Sequence, residues 1–335
     1  MIILSDCLTE TADEGALKVA SSIARRLRQC DDHTLVVTYG RKPVWSDAHL
    51  QLNKLFLNRA LFKILRERHD PVLYIPFASN TLASALRVCV LSAMGRRRVR
   101  ALFALRHPMN GLTRRLLRLS KAEILTLSGE SREYFTREVG QAVQLKAGVD
   151  MKRFTPVSAE RKAELREKYG VAPGKKVLLH VGHLKPGRNV EALLNVGSDY
   201  HVFLAVSTVT QADEALRRRL EERPHTTIIS HYLPDVQELY QMADVYLFPV
   251  TAQENCIDLP LSVMEAASCS CPIVTTAYGE LTAFRGEAGF AFVDGSSGEI
   301  AAALDRMSAM KDCENRAAVK EYDWDRAVAQ LLRMT

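Results

Sequence analysis

The chain has 335 residues, 47% of them apolar and 25% charged, with a net charge of +6, and this suits two soluble globular domains of ordinary size. No apolar run approaches the ~18 residues of a membrane span, and the opening M-I-I-L-S-D has no basic region ahead of an apolar segment, which predicts no secretory signal. Seven scattered cysteines without a C-x-x-C pair argue for reduced thiols in a cytosolic compartment and against a disulfide framework or a structural zinc site.

In chain order, Ile2 to Ser5 reads as a strand, and Ala16, Val19, Ala20, Ile23, Ala24 and Leu27 then recur at the spacing of an amphipathic helix. Gly15, near that helix start, permits close approach of backbone to whatever sits above the first strand. Strands are expected at Thr34 to Thr38, Val72 to Ile75, Val99 to Leu105 and Ile124 to Leu127, with helices between them. The stretch from Met151 to about Lys175 breaks this rhythm and reads as a connection. Alternation resumes with strands from Val177 to Gly182, His201 to Val206, Thr226 to Ile229, Val245 to Phe248 and Ile273 to Thr275, and a weaker one at Gly289 to Val293. Tyr322-Asp-Trp-Asp opens a last helix. Strands alternating with helices predict an α/β chain of doubly wound parallel sheets.

Two stretches carry chemistry. V-G-H-L-K-P-G-R-N-V (Val181 to Val190) is a glycine turn read as leading into a helix N-terminus, with Gly182, His183, Lys185 and Arg188 as donors for a phosphate. An exposed basic loop would read the same way. Val245 to Thr276 reads as strand, acidic loop, helix, small-residue turn and strand. Its acids Glu254, Asp258 and Glu265 follow the carboxyl end of a parallel strand, where α/β proteins hold ligands and where carboxylates can accept bonds from sugar hydroxyls. Taken singly, solvated charges look the same. From Arg96 to Lys121 there are eight arginines, one lysine and no acid. That patch suits an anionic membrane surface or a phosphate-bearing acceptor, and equally a solvated helix face. No recognition helix or stacking aromatic cluster accompanies it, so nucleic acid is not an expected partner.

Together these pieces resemble the retaining glycosyltransferases of family 4 (glycosyl transferases group 1). E-G-A-L-K-V-A-S-S-I-A-R-R-L from Glu14 resembles the family's G-G-A-E-R-V-A-x-x-L-A-x-x-L. L-S-G-E-S-R-E-Y-F from Leu127 is similar to its V-S-x-x-x-x-x-x-L segment, and L-K-A-G-V-D-M-K-R-F-T-P from Leu145 to I-P-N-G-V-D-x-x-R-F-x-P. L-Y-Q-M-A-D-V-Y-L-F-P and S-V-M-E-A-A-S-C-S-C-P-I-V-T-T resemble A-D-V-x-x-x-P and L-E-A-x-A-x-G-x-P-V-V. The resemblance implies the GT-B fold, two Rossmann-like doubly wound domains facing across a cleft. It implies an acceptor-binding domain over 1–155, a nucleotide-sugar-binding domain over 156–318, and a closing helix over 319–335 that returns to the first domain.

The resemblance also implies roles. Glu265 falls on the glutamate that binds the donor ribose, Arg188 on a lysine facing the donor diphosphate, and His183 where the family usually has arginine, with Lys185 beside it. Gly15 lies in the loop approaching donor phosphate and acceptor. His107 either reaches the transferred sugar or caps the loop before Pro108. The family's other glutamate belongs at Ile257, and Glu254 and Asp258 are the two acids able to take its place. The expected donor is a nucleotide-diphosphate sugar used without a cofactor or metal, since no D-x-D pair ends a strand. The expected acceptor is a glycan or lipid-linked molecule, the expected location cytoplasmic or at the inner face of the cell membrane. The alternative is a silent protein that keeps the fold and binds nucleotide-sugar only.

Overall fold

A computed structural model describes residues 1–10, 14–40, 42–43, 45–94, 98–185, 187–207, 213–252 and 256–334. The chain divides into two compact units, one of Met1–Ala147, Ile257–Leu259 and Trp324–Thr335, the other of Gly148–Cys256 and Pro260–Asp323.

The first unit is built on seven strands: β1 (Ile2–Ser5), β2 (Leu35–Thr38), β3 (Ala48–His49), β4 (Val72–Ile75), β5 (Val99–Phe103), β6 (Glu123–Thr126) and β7 (Ala142–Gln144). They pair in parallel in the order β3-β2-β1-β4-β5-β6-β7. The helices α1 (Gly15–Cys30), α2 (Arg59–Glu67), α3 (Leu82–Ala93), α4 (Gly111–Ser120) and α5 (Gly129–Val139) are the crossovers. Side chains of Asn58, Thr81, Asn110 and Ser128 cap the starts of α2 to α5. The apolar stripe read from the sequence is the buried face of α1, with Val19, Ala20, Ile23, Ala24 and Leu27 fully enclosed. The closing helix Trp324–Arg333 packs against α1, where Asp325 pairs with Arg26 at 3.3 Å.

The second unit has six parallel strands: β8 (Lys176–Gly182), β9 (Tyr200–Val206), β10 (Thr226–Ile229), β11 (Val245–Phe248), β12 (Ile273–Thr276) and β13 (Phe290–Val293). Their order is β10-β9-β8-β11-β12-β13, so the winding reverses between β8 and β11. The unit's helices are α6 (Ala159–Lys168), α7 (Glu214–Glu221), α8 (Gln237–Met242), α9 (Leu261–Ser268), α10 (Ser297–Ser308) and α11 (Asn315–Ala318).

Several expectations are corrected. The supposed connection holds a real helix, α6, which packs on α8 and contributes the fully buried Leu165. The crossing between units lies at Ala147 and Gly148 rather than at 155, because the N–H groups of Gly148 and Val149 both donate to the Tyr322 carbonyl of the second unit. The same pairing keeps residues 319–323 in the second unit, so the returning segment begins at Trp324. The glycine turn after β8 leads into a six-residue 3₁₀ helix, Val190–Asn195, whose N-cap Asn189 is left-handed and caps nothing with its side chain. A piece that short has poor hydrogen-bond geometry and little aligned dipole, so the expected helix N-terminus is not there.

Candidate functional site

The second unit carries the better-built site, at the carboxyl ends of β8 and β11 where its winding reverses. That is the place where open α/β sheets leave a crevice for ligands. Gly182 ends β8, and a side chain there would lie 3.2 Å from Nε2 of His180 and 3.3 Å from Nη1 of Arg188. Arg188 is only 5% exposed, its Nε has no hydrogen-bond partner, and no carboxylate pairs with it among the described residues. A buried, uncompensated guanidinium is costly to a fold, so such groups normally have an anion to meet. The exposed-loop reading of this turn fails at Arg188 and at His183, which is 8% exposed, while Lys185 is half-buried.

The loop is held in shape from behind. Asn189 has a φ of 53° and donates to the carbonyls of Pro249, at 3.3 Å, and Gly295, at 2.9 Å. It thereby ties the turn after β8 to the ends of β11 and β13. Gly295, at φ 97°, leaves room for it, since a side chain there would lie 3.3 Å from Nδ2 of Asn189 and 2.9 Å from Cγ2 of Thr251.

His180 faces into the same place from β8. Burial, with the charge of Arg188 adding to it, lowers its imidazole from 6.5 to about 4. Because the folded-state value is depressed, the unfolded chain binds the proton more readily. The stabilisation is therefore full above pH 6.5 and is lost as pH falls toward 4. It is on the order of 3 kcal/mol, and a His180→Phe variant should show a flatter fall in melting temperature across that window than the native chain.

Glu265 stands on α9, after Pro260 has fixed the helix entry. At 2% exposure it is not a solvated charge, and its Oε2 accepts from the Tyr240 hydroxyl at 2.9 Å. Burial and then the Glu265 charge push that phenol well above its ordinary range, so it remains a donor. Tyr246 packs beside Tyr240 and bonds to Ser262 on α9 and to the Val181 carbonyl on β8. At the far end of α9, Arg316 donates to the carbonyls of Ser268, Phe154 and Met151, while Ser270 takes the left-handed conformation that closes the helix. Glu265 is thus fixed at both ends of its helix. Neither Tyr240 nor Arg316 was signalled by the sequence, since an aromatic in a short helix ahead of a core strand and a late arginine look like filling and surface.

The first unit holds the other sequence-derived residues. His107 follows β5, and Asn80 clamps its backbone in both directions, accepting from the N–H at 2.8 Å and donating to the carbonyl. The cap of α4 is Asn110, so the imidazole of His107, half-buried, is not the capping group before Pro108. Gly15 opens α1, and a side chain on it would lie 2.9 Å from Cδ1 of Ile257. What approaches the backbone above β1 is therefore an isoleucine.

Asp258 also belongs to this unit. It is 6% exposed and accepts from the hydroxyls of Ser128, at 3.3 Å, and Ser131, at the start of α5. Burial raises its carboxyl, against the pull of Ser131 and Arg106. Glu254 lies outside the described residues. Among the described residues no three His, Cys, Asp or Glu side chains gather as a metal ligand set, and no helix is long and apolar enough to cross a membrane.

The basic patch is less basic in three dimensions than in sequence. Arg100 pairs with Glu123 at 2.7 Å, Arg106 with Glu130 at 2.6 Å and Arg114 with Glu138 at 2.7 Å, acids that follow the segment in sequence. Arg118 donates to the Glu138 carbonyl and Arg98 to that of Met334. Arg115 and Lys121 remain exposed without a carboxylate partner among the described residues, while Arg96 and Arg97 lie outside them. Leu112, 56% exposed, and Leu119, 66% exposed, share a face of α4 with Arg115.

Residues 175–309 match the family model described as Glycosyl transferases group 1. Two curated relatives are D-inositol 3-phosphate glycosyltransferases. That of Salinispora arenicola is 25% identical over 254 residues, 64% of this chain and 53% of the relative. That of Geodermatophilus obscurus is 29% identical over 217 residues, 55% of this chain and 45% of the relative. The chain spans about half the length of the curated relatives it matches. Among solved structures, Anabaena Alr3699/HepE in complex with UDP and glucose aligns over 99% of this chain and 98% of its own, with a TM-score of 0.76 at 17% identity. A glycosyltransferase from Rickettsia africae aligns over 99% and 97%, with a TM-score of 0.79 at 13% identity. At these identities the likeness establishes the fold. It is the GT-B architecture of two parallel-sheet α/β domains.

Proposed function

We propose that this chain is a retaining glycosyltransferase moving a sugar from a nucleoside-diphosphate sugar to an acceptor hydroxyl. The observation that carries the reading is Arg188, a buried cation without a carboxylate partner among the described residues, under a glycine turn and inside the segment that matches a glycosyltransferase family. Two relatives named as glycosyltransferases and a structural neighbour seen with UDP and glucose support it.

In this mechanism the guanidinium takes two oxygens of the donor diphosphate, with Lys185 and His183 as further donors. Charge that develops on the departing diphosphate is stabilised by these fixed groups, which are already oriented before the bond breaks. Glu265, oriented by Tyr240, accepts the hydroxyls of the donor ribose. The acceptor hydroxyl enters on the face that the leaving group vacates, which retains the anomeric configuration. No divalent metal is required. Incubation of the purified protein with uridine, guanosine and adenosine diphosphate-sugars should release nucleoside diphosphate from one of them in the presence of a chelator. Release from none would remove the enzyme reading.

The acceptor is proposed to be a lipid-linked or cell-envelope glycan. Support comes from the exposed Leu112 and Leu119 beside Arg115 on α4, an arrangement suited to the boundary of an anionic bilayer. Vesicles containing anionic lipid should retain the protein at low salt, and Leu112→Asp with Leu119→Asp should abolish retention. Equal retention of native and doubly substituted protein would contradict this surface.

A specific observation favours a second reading, a silent nucleotide-sugar-binding protein. Ile257 occupies the position of the family's other glutamate and packs on Gly15, and the neighbouring Asp258 is taken up by two serines. Diphosphate-sugar binding without turnover, across a panel of acceptors, would select it.

A further inference from the structure

One titratable group beside the diphosphate site has no part in the mechanism above. His180 lies two residues before Gly182 on β8 and is 2% exposed. Its Nδ1 stands 2.9 Å from the Leu247 carbonyl on β11. A carbonyl only accepts, so Nδ1 carries the proton and Nε2 is left with a lone pair. Burial keeps the ring neutral at physiological pH. That Nε2 has no hydrogen-bond partner among the described residues.

The space it faces is the one that the missing side chain of Gly182 leaves open. Nε2 of His180 and Nη1 of Arg188 line that space together, at 3.2 and 3.3 Å from where a Cβ would stand. Among the described residues, one is an acceptor without a donor, and the other belongs to a guanidinium whose Nε is a donor without an acceptor. A guanidinium offers five N–H groups in one plane, so one edge can grip a diphosphate while another rests on an imidazole. A buried carboxylate in the same place would neutralise the arginine and compete with the ligand. A neutral imidazole orients it and leaves its charge for the anion.

We infer that His180 is a positioning residue for Arg188, its Nε2, which takes no hydrogen bond among the described residues, accepting from the guanidinium when the opposite edge engages the donor diphosphate. This rests on the nucleotide-sugar reading of the site. It also gives Gly182 a reason, since any larger residue would separate the two side chains.

The test compares native protein, His180→Phe and His180→Gln by calorimetric titration with uridine, guanosine and adenosine diphosphates and with the three nucleosides. His180→Phe should weaken the tightest diphosphate by about tenfold and leave nucleoside affinity unchanged, and His180→Gln, whose amide oxygen can accept, should recover most of the loss. Diphosphate affinity of His180→Phe within twofold of native would overturn the inference alone. So would an equal loss for diphosphate and nucleoside, which a merely structural role produces. If native protein binds no diphosphate, the reading of the site and the inference fall together. Should the phenylalanine variant not fold, nitrogen-15 NMR of the native chain decides. The His180 Nε2 resonance should shift when the tightest diphosphate saturates the protein, and an unmoved resonance would overturn the positioning role.

Discussion

Replacing Arg188 with methionine is expected to weaken nucleoside-diphosphate binding by about 100-fold or more without lowering the melting temperature. The two halves of that expectation come from one fact. Arg188 is buried and has no carboxylate partner among the described residues, so its charge is a cost to the ligand-free fold. An apolar side chain of similar length removes that cost, while a bound diphosphate loses a desolvated charge partner valued at about 3–5 kcal/mol. Arg188→Lys should fall between, because an ammonium is a point charge and cannot grip two oxygens in one plane. Calorimetric titration together with a melting curve reads both effects. A structural arginine would give the reverse pattern, with lower stability and unchanged affinity.

Glu265→Ala is expected to show the second large effect, and a more selective one. The Tyr240 hydroxyl would lose its acceptor inside the core, at about 1–3 kcal/mol of stability, and nucleotide affinity should fall by about 10- to 100-fold. Glu265→Gln keeps an acceptor for Tyr240, so it should restore stability while binding stays weak. If the carboxylate holds the ribose diol, a 2′,3′-dideoxynucleoside diphosphate should bind native and Glu265→Gln protein alike. A dideoxy ligand that binds native protein as tightly as the ribose form would remove that role.

Much of this was legible from sequence, for physical reasons. The central strands of both sheets are buried on two faces, so they read as apolar runs, and β1, β4 and β11 fall where those runs lie. The two-residue β3 and three-residue β7 are edge strands with too little pattern to announce themselves. The helix α6 escaped because nine of its ten residues are not buried and its charge reads as linker. Acids in the Val245 to Thr276 stretch could be listed, but their fates depended on partners far away in sequence. Glu265 is held by Tyr240 and Asp258 by Ser128 and Ser131, while Arg100, Arg106 and Arg114 of the basic segment are answered by Glu123, Glu130 and Glu138. The turn after β8 was legible as a phosphate site through its glycine and its cations. Its lining was not, because His180 lies inside the strand and reads as core.

The central claim is that the carboxyl ends of β8 and β11 hold a nucleoside diphosphate on Arg188. Thermal unfolding with and without uridine, guanosine and adenosine diphosphates tests it most directly, since a ligand that binds only the folded chain raises its melting temperature by mass action. One of the three should raise it in native protein by several degrees at millimolar concentration and leave Arg188→Met unmoved. No shift with any of the three, or an equal shift in native protein and Arg188→Met, would contradict the account.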